Sequence, residues 1–343
     1  MKNQSETAQA NRLSESPNET VLSISGLRTC LATRKGKLYP VDGVDVVIPK
    51  GKIVGLVGES GCGKSMMANT VMGLLPHGGC VAEGKITFCG QDFLALSPKE
   101  RRTIYGDRLT LIFQEPMSSL NPVIRVGKQV SEVLMLHRQV SKEEAKKQVI
   151  EIFRSVGIPE PERRYYCYPH ELSGGLRQRV MISAAMICQP DLLIADEPTT
   201  ALDVTIEAQI LQLMRRLQQE AGSSILLITH DLGVVAEICD LVYVMYAGKI
   251  VETADVFELF HNPQHPYTIG LLQSLPSRNK EKRLHSIPGT VPMLAEMPAG
   301  CRFAPRCKFA TEACHEKLPP LVEVANGHYV RCWTPQKEEK HGE

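Results

Sequence analysis

The chain has no long hydrophobic run. Its apolar stretches, such as residues 53–58 and 224–229, have strand length and fall far short of the ~18 residues needed to cross a bilayer. It also has no charge imbalance: 39 Lys and Arg stand against 38 Asp and Glu, for a net charge of +1. That balance excludes a global electrostatic footprint for nucleic acid or an anionic membrane. The first twenty residues carry one large aliphatic side chain beyond the initiator, Leu13. They are expected to form a solvated tail, not the apolar core of a secretory signal. No repeat at 20–50 residues and no sustained heptads appear. With 43% apolar, 22% charged and 5% aromatic residues, the composition excludes a disordered or collagen-like chain. The 343 residues are enough for roughly two domains at ~150 residues each.

What is present is cysteine, 11 in all, unevenly placed. Seven are scattered (Cys30, Cys62, Cys80, Cys89, Cys167, Cys188 and Cys239) and four crowd the C-terminus (Cys301, Cys307, Cys314 and Cys332). Without a span or a signal, a cytosolic location is expected. Thiols stay reduced there, which favours a metal site over a disulfide framework for the four.

Short β-branched runs alternate with helical patterns, as in an α/β protein with a largely parallel sheet. Strands are expected at 52–58, 109–113, 191–196, 224–229 and 241–245, and helices at 64–75, 142–156, 175–188, 204–221 and 232–239. From Glu115 to Pro190 no buried strand is expected, so this stretch reads as a mainly helical insertion. Near Pro263 the prolines multiply, marking the start of an appendix. Its basic run at 278–283 reads as a solvated linker.

Gly58-Glu59-Ser60-Gly61-Cys62-Gly63-Lys64-Ser65 fits the phosphate-loop pattern GxxxxGK[ST], with a β-run before it and a helix after it. The glycines let backbone N–H groups wrap a β-phosphate at the positive end of the helix. Lys64 would bridge β- and γ-phosphates, and the Ser65 hydroxyl would ligate Mg²⁺. A second element, Leu192-Leu193-Ile194-Ala195-Asp196-Glu197, is an apolar strand ending in two acids. A strand buried on both faces ends in carboxylates to present them at the sheet edge where α/β ligands bind. Asp196 would hold Mg²⁺ through water, and Glu197 would act as general base on the attacking water.

Leu172-Ser173-Gly174-Gly175-Leu176-Arg177-Gln178-Arg179 resembles the LSGGQ signature, and with it the chain resembles a nucleotide-binding subunit of an ABC transporter. Physically, Ser173, Gly174 and Gly175 open a second anion-binding helix terminus. The resemblance implies that a partner ATPase supplies this terminus, sandwiching ATP head to tail. It further implies that Gln114, after Phe113, contacts Mg²⁺ and water and couples the helical insertion to a transmembrane partner. In the same way Asp203 matches the D-loop, and His230 matches the switch histidine that touches the γ-phosphate. Leu176 departs from the usual glutamine, a hydrophobic exchange common in the peptide-permease branch. Tyr39 is the one nearby aromatic available to stack on the base.

His265-Pro266-Tyr267-Thr268 resembles the HPYT segment of oligopeptide, dipeptide and nickel permease ATPases, so the resemblance covers about residues 21 to 335. Cys301-x5-Cys307-x6-Cys314-x17-Cys332 suits tetrahedral zinc or an iron–sulfur cluster, and free thiols remain open. The resemblance implies a [4Fe-4S] cluster, with a structural or regulatory role. His315 and His328 are possible substitute ligands. Cys62, inside the phosphate loop, is expected to be a point where alkylation blocks ATP.

The fold expected is therefore an α/β P-loop NTPase of the ABC cassette type, with a helical subdomain and a cysteine-containing C-terminal extension. A tail at 1–20 precedes an ATPase domain at 21–260, with the helical part at 115–190 and the extension at 261–343. The function expected is an ATP- and Mg²⁺-dependent subunit that powers import of peptides or related solutes. It would sit peripherally on the cytoplasmic face of the membrane. The partners implied are a second ATPase as a heterodimer, two transmembrane permeases and an extracytoplasmic binding protein, with no nucleic acid. A soluble, non-transport ABC ATPase and an ATPase under redox control by the cysteine cluster are the alternative readings.

Overall fold

In the computed structural model, which describes residues 19–34, 36–114, 119–200, 202–275 and 286–336, the chain falls into two units. One comprises residues 1–47, 53–90 and 228–343, and the other residues 48–52 and 91–227. Residues 1–18 of the expected tail and the basic run at 278–283 lie outside the described residues.

The first unit is built on the strand Ile53–Val57, every residue of which is buried, as its unbroken apolar composition requires of a strand covered on both faces. It pairs in parallel with Leu241–Tyr246. Lys249–Asp255 then turns back antiparallel on Leu241–Tyr246. A C-terminal hairpin, Val322–Ala325 and His328–Val330, continues the same sheet through Lys249–Asp255. Sequence reading missed this hairpin because Val322–Ala325 is largely exposed and shows no apolar alternation. A second sheet orders Gly36–Pro49, Thr20–Thr33 and Gly79–Phe88, with Thr20–Thr33 antiparallel to Gly79–Phe88 and bulged between Ser25 and Thr29. The bulge, with Gly26 at φ 58°, breaks the period of two that would have announced these strands.

Cys30 and Cys80 oppose each other directly in this register and form a disulfide, with Cα atoms 5.3 Å apart. Reduced, incidental thiols were expected; fifty residues of separation conceal that the two share one cross-strand position.

The second unit carries the parallel pair Leu109–Ile112 and Leu192–Asp196, with Ser224–Thr229 on the other side of Leu192–Asp196. Helices at Val126–Arg138, Lys142–Ser155, Gly174–Met186 and Val204–Ala221 complete it. Lys142–Ser155 buries Ala145, Val149 and Phe153, an i, i+4, i+8 stripe, and Ser141 caps it by accepting from the Glu144 N–H. Among the described residues from 119 to 190 there is no strand, as expected. The five expected strands and five expected helices all form. The helix after the phosphate loop is shorter, Lys64–Val71, because Met72 and Gly73, the latter at φ 65°, turn the chain out.

Candidate functional site

The phosphate loop follows the buried strand Ile53–Val57 and leads into Lys64–Val71. Two glycines are obligatory. A Cβ at Gly58, φ 153°, would lie 2.1 Å from the Met245 carbonyl oxygen, and one at Gly63, φ 110°, 2.3 Å from that of Pro40. The Lys64 amine is buried and donates to the carbonyl oxygens of Gly58 at 2.6 Å and Glu59 at 3.1 Å. No side chain caps Lys64–Val71 and no acid occupies its first turn. Its leading N–H groups can therefore receive an anion, and the Ser65 hydroxyl stands in that turn. The donor set fits a nucleotide triphosphate with Mg²⁺.

Cys62 is 1% exposed, and burial pushes its thiol pKa up despite the neighbouring Lys64. A buried thiol with a raised pKa alkylates slowly, so burial limits how readily any block at this position could be installed. Tyr39 directly precedes Pro40, whose carbonyl abuts Gly63. Tyr39 thus lies on the segment that borders the loop, with the Arg28 guanidinium over its ring at 3.9 Å. His230 is exposed at the end of Ser224–Thr229, just ahead of Asp231, which caps Leu232–Ile238.

In the second unit, Asp196 closes the buried strand Leu192–Asp196 and is itself 7% exposed. Glu197 follows at φ 47°, a left-handed conformation that costs a non-glycine residue about 1–3 kcal/mol and that concentrates at functional sites. Its Oε2 accepts from Gln114 Nε2 at 2.8 Å and from the Thr200 hydroxyl at 2.9 Å. Glu197 and Gln114, 83 residues apart, are thus brought together, a direct contact that the sequence reading did not state. Thr200 was not anticipated; its only sequence signal is its place three residues after the glutamate. Glu115 and Pro116, which follow Gln114, and Ala201, before Asp203, lie outside the described residues.

Ser173 caps Gly174–Met186 by accepting from the Leu176 N–H. Ser173 and Gly174 are exposed, so this terminus faces outward. Asp203 caps Val204–Ala221 through the Ile206 N–H at 3.0 Å. Sequence reading gave it a nucleotide-side role and overlooked this local one.

In the C-terminal extension, Cys301, Cys307, Cys314 and Cys332 line one small cavity whose other walls include Phe303, Phe309 and Trp333. Among the described residues no three His, Cys, Asp or Glu side chains form a group that could hold a metal ion. His328 is not a substitute ligand: its Nε2 lies 2.8 Å from Glu252 and its Nδ1 3.4 Å from Glu258. His265 of the HPYT segment is the cap of Pro266–Gln273, its Nδ1 accepting from the Tyr267 N–H at 3.0 Å. Burial holds its pKa down at about 4, which keeps that acceptor neutral.

Sequence reasoning missed two links entirely. The Glu59 N–H donates to the Tyr267 hydroxyl at 2.8 Å, and Arg306 forks onto the Glu59 carboxylate at 2.6 and 3.0 Å. Both join residues more than 200 positions apart, which no local pattern signals.

Comparison with known proteins agrees with these features. The ABC transporter family matches residues 41–200, and the C-terminal region of oligopeptide/dipeptide transporters matches residues 251–314. The oligopeptide transport ATP-binding protein OppD of Bacillus subtilis is 49% identical over 316 residues, covering 91% of this chain and 88% of that protein. The dipeptide transport ATP-binding protein DppD of the same organism is 46% identical over 325 residues, covering 94% and 97%. Among solved structures, the dimeric ATP-binding cassette MJ0796 in a post-hydrolysis state with ADP and Pi superimposes with a TM-score of 0.62. It is 26% identical and covers 68% of this chain and 98% of that one. No helix among the described residues is long and apolar enough to cross a membrane. The chain belongs to the ATP-hydrolysing, ATP-binding subunits of ABC transporters, in the branch that carries the oligopeptide/dipeptide transporter C-terminal region.

Proposed function

We propose that this ATPase powers the import of peptides, working from the cytoplasmic face of a membrane complex. The observation that carries the catalytic part is the strained Glu197, held by Gln114 and Thr200 at the end of a buried strand. The names of its relatives, which cover nearly the whole chain, support the substrate class and favour it over a soluble, non-transport ATPase.

In this reading residues 58–65 wrap the β-phosphate, Lys64 leaves its carbonyl partners for the β- and γ-phosphates, and Tyr39 stacks on the base. Ser65, Gln114 and Asp196 would hold Mg²⁺, which when bound would supply positive charge to shield the phosphates. Glu197 takes a proton from the attacking water while Gln114 orients the carboxylate, and His230 touches the γ-phosphate. Ser173, Gly174, Gly175 and Asp203 serve the nucleotide of a second ATPase, in keeping with the exposure of the signature terminus. The helical segment at 115–190 docks on two transmembrane permeases. Exposed Val123, Leu136 and Tyr166 support such a surface. An extracytoplasmic binding protein delivers the substrate. Purification of the membrane complex with its co-purifying chains, followed by ATPase assay with candidate peptides and nickel, tests the assignment. Stimulation by peptide is expected; a chain that purifies without permeases would overturn it.

The extension at 261–343 follows the cassette at 21–260, and its four cysteines, which line one cavity, are read as ligands of a [4Fe-4S] cluster, with zinc the alternative. When bound, such a cluster would tie four points of the extension together. Anaerobic purification should yield iron; stoichiometric zinc without iron would sink this assignment.

A further inference from the structure

Two residues of the extension hydrogen-bond Glu59 of the phosphate loop. Glu59 follows the first glycine of the loop. Its N–H is taken by the Tyr267 hydroxyl, and its carboxylate by both terminal nitrogens of Arg306. The Arg306 side chain is only 4% exposed. It is fixed in turn by Nε donation to the Pro288 carbonyl at 2.8 Å and by a further terminal N–H to that of Ile287. Tyr246, Tyr267 and Phe303 pack ring against ring around this point. Arg302 anchors the same segment to Asp42 and to the Ala247 carbonyl.

A carboxylate at this position is unfavourable for the ligand the loop receives, because it adds negative charge beside a polyphosphate. The bidentate guanidinium neutralises that charge and fixes its direction. The tyrosine hydroxyl fixes the backbone from which the loop's N–H groups project. Neither residue belongs to the phosphate-loop pattern, and both lie in the extension.

We propose that Arg306 and Tyr267 are positioning residues for nucleotide binding, holding the phosphate loop through Glu59, so that affinity for the triphosphate depends on the C-terminal extension. This rests on the reading of residues 58–65 as the ATP site, and the test separates the two. MgATP and MgADP affinities are measured by calorimetry on the full chain, with thermal melts confirming folding, for wild type, K64A, R306Q, E59Q/R306Q and Y267F.

R306Q leaves Glu59 unneutralised and should raise the MgATP dissociation constant roughly tenfold, within the ordinary range of coupling between linked sites, and the MgADP constant by less. E59Q/R306Q removes the repelling carboxylate and should return MgATP affinity to within about threefold of wild type, a rescue that a purely structural role would not produce. Y267F removes one hydroxyl without changing shape and should weaken both nucleotides about fivefold. The inference is overturned if folded R306Q or, should that variant not fold, folded Y267F binds MgATP as wild type does while K64A loses it. It is equally overturned if the double variant stays as weak as R306Q. If K64A itself binds normally, the ATP-site reading fails instead.

Discussion

Glu252→Ala should be the most destabilising single change in the extension and its seam with the sheet. Glu252 is fully buried on Lys249–Asp255 and accepts from the Gln264 N–H at 2.7 Å, the His265 N–H at 3.0 Å and His328 Nε2 at 2.8 Å. It thus ties together the sheet, the start of the HPYT segment and the C-terminal hairpin. Truncation orphans two backbone donors and removes the main carboxylate of a buried pair, a loss of about 4 kcal/mol. At 2–4 °C per kcal/mol for a domain of this size, the melting temperature should fall by roughly 10 °C. His328→Gln should cost less, because Glu252 keeps both backbone donors. Burial lowers the His328 pKa, but hydrogen bonds and charge from Glu252 and then Glu258 outweigh it and leave the pKa raised. The pair's contribution is therefore fully present below pH ~6.5 and lost as pH rises through the folded value. Circular dichroism melts of the purified chain at pH 6 and pH 8 measure both effects. An E252A melting point within about 2 °C of wild type would refute the reasoning.

His265 titrates with the opposite sign. Its folded pKa of about 4 against an unfolded ~6.5 gives stability that is present above pH 6.5 and lost as pH falls towards 4, by up to about 3 kcal/mol. H265N, which keeps a capping acceptor without a titrating ring, should flatten that slope in melts from pH 7 to 4.5, and an unchanged slope would count against it. Cys62 should react with maleimide at least about tenfold more slowly than the more exposed Cys167, as read by mass spectrometry of timed samples. Equal rates would show that the loop opens far more than its burial implies.

Much of the ATPase machinery was legible because its elements have local causes. An unbroken apolar run such as Ile53–Val57 has one structural use, and the spacing of Gly58, Gly63 and Lys64 is set by a turn that excludes side chains. The Gln114–Glu197 contact was not legible, because it depends on the strands ahead of the two residues lying side by side. Thr20–Thr33 and Gly79–Phe88 escaped because a bulge scrambles their alternation and because their pairing, Cys30 with Cys80 included, depends on register. The hold on Glu59 escaped for a different reason: Arg306 and Tyr267 reach it only after the extension has folded back onto the cassette sheet. The same is true of His328, a plausible metal ligand by type until the buried Glu252 takes it.

Glu197 is the proposed general base of hydrolysis. In the assembled membrane complex, E197Q should bind MgATP with near-wild-type affinity and lose steady-state hydrolysis by at least about a hundredfold, the scale of a lost general base. Hydrolysis at the wild-type rate by E197Q in that complex would contradict it.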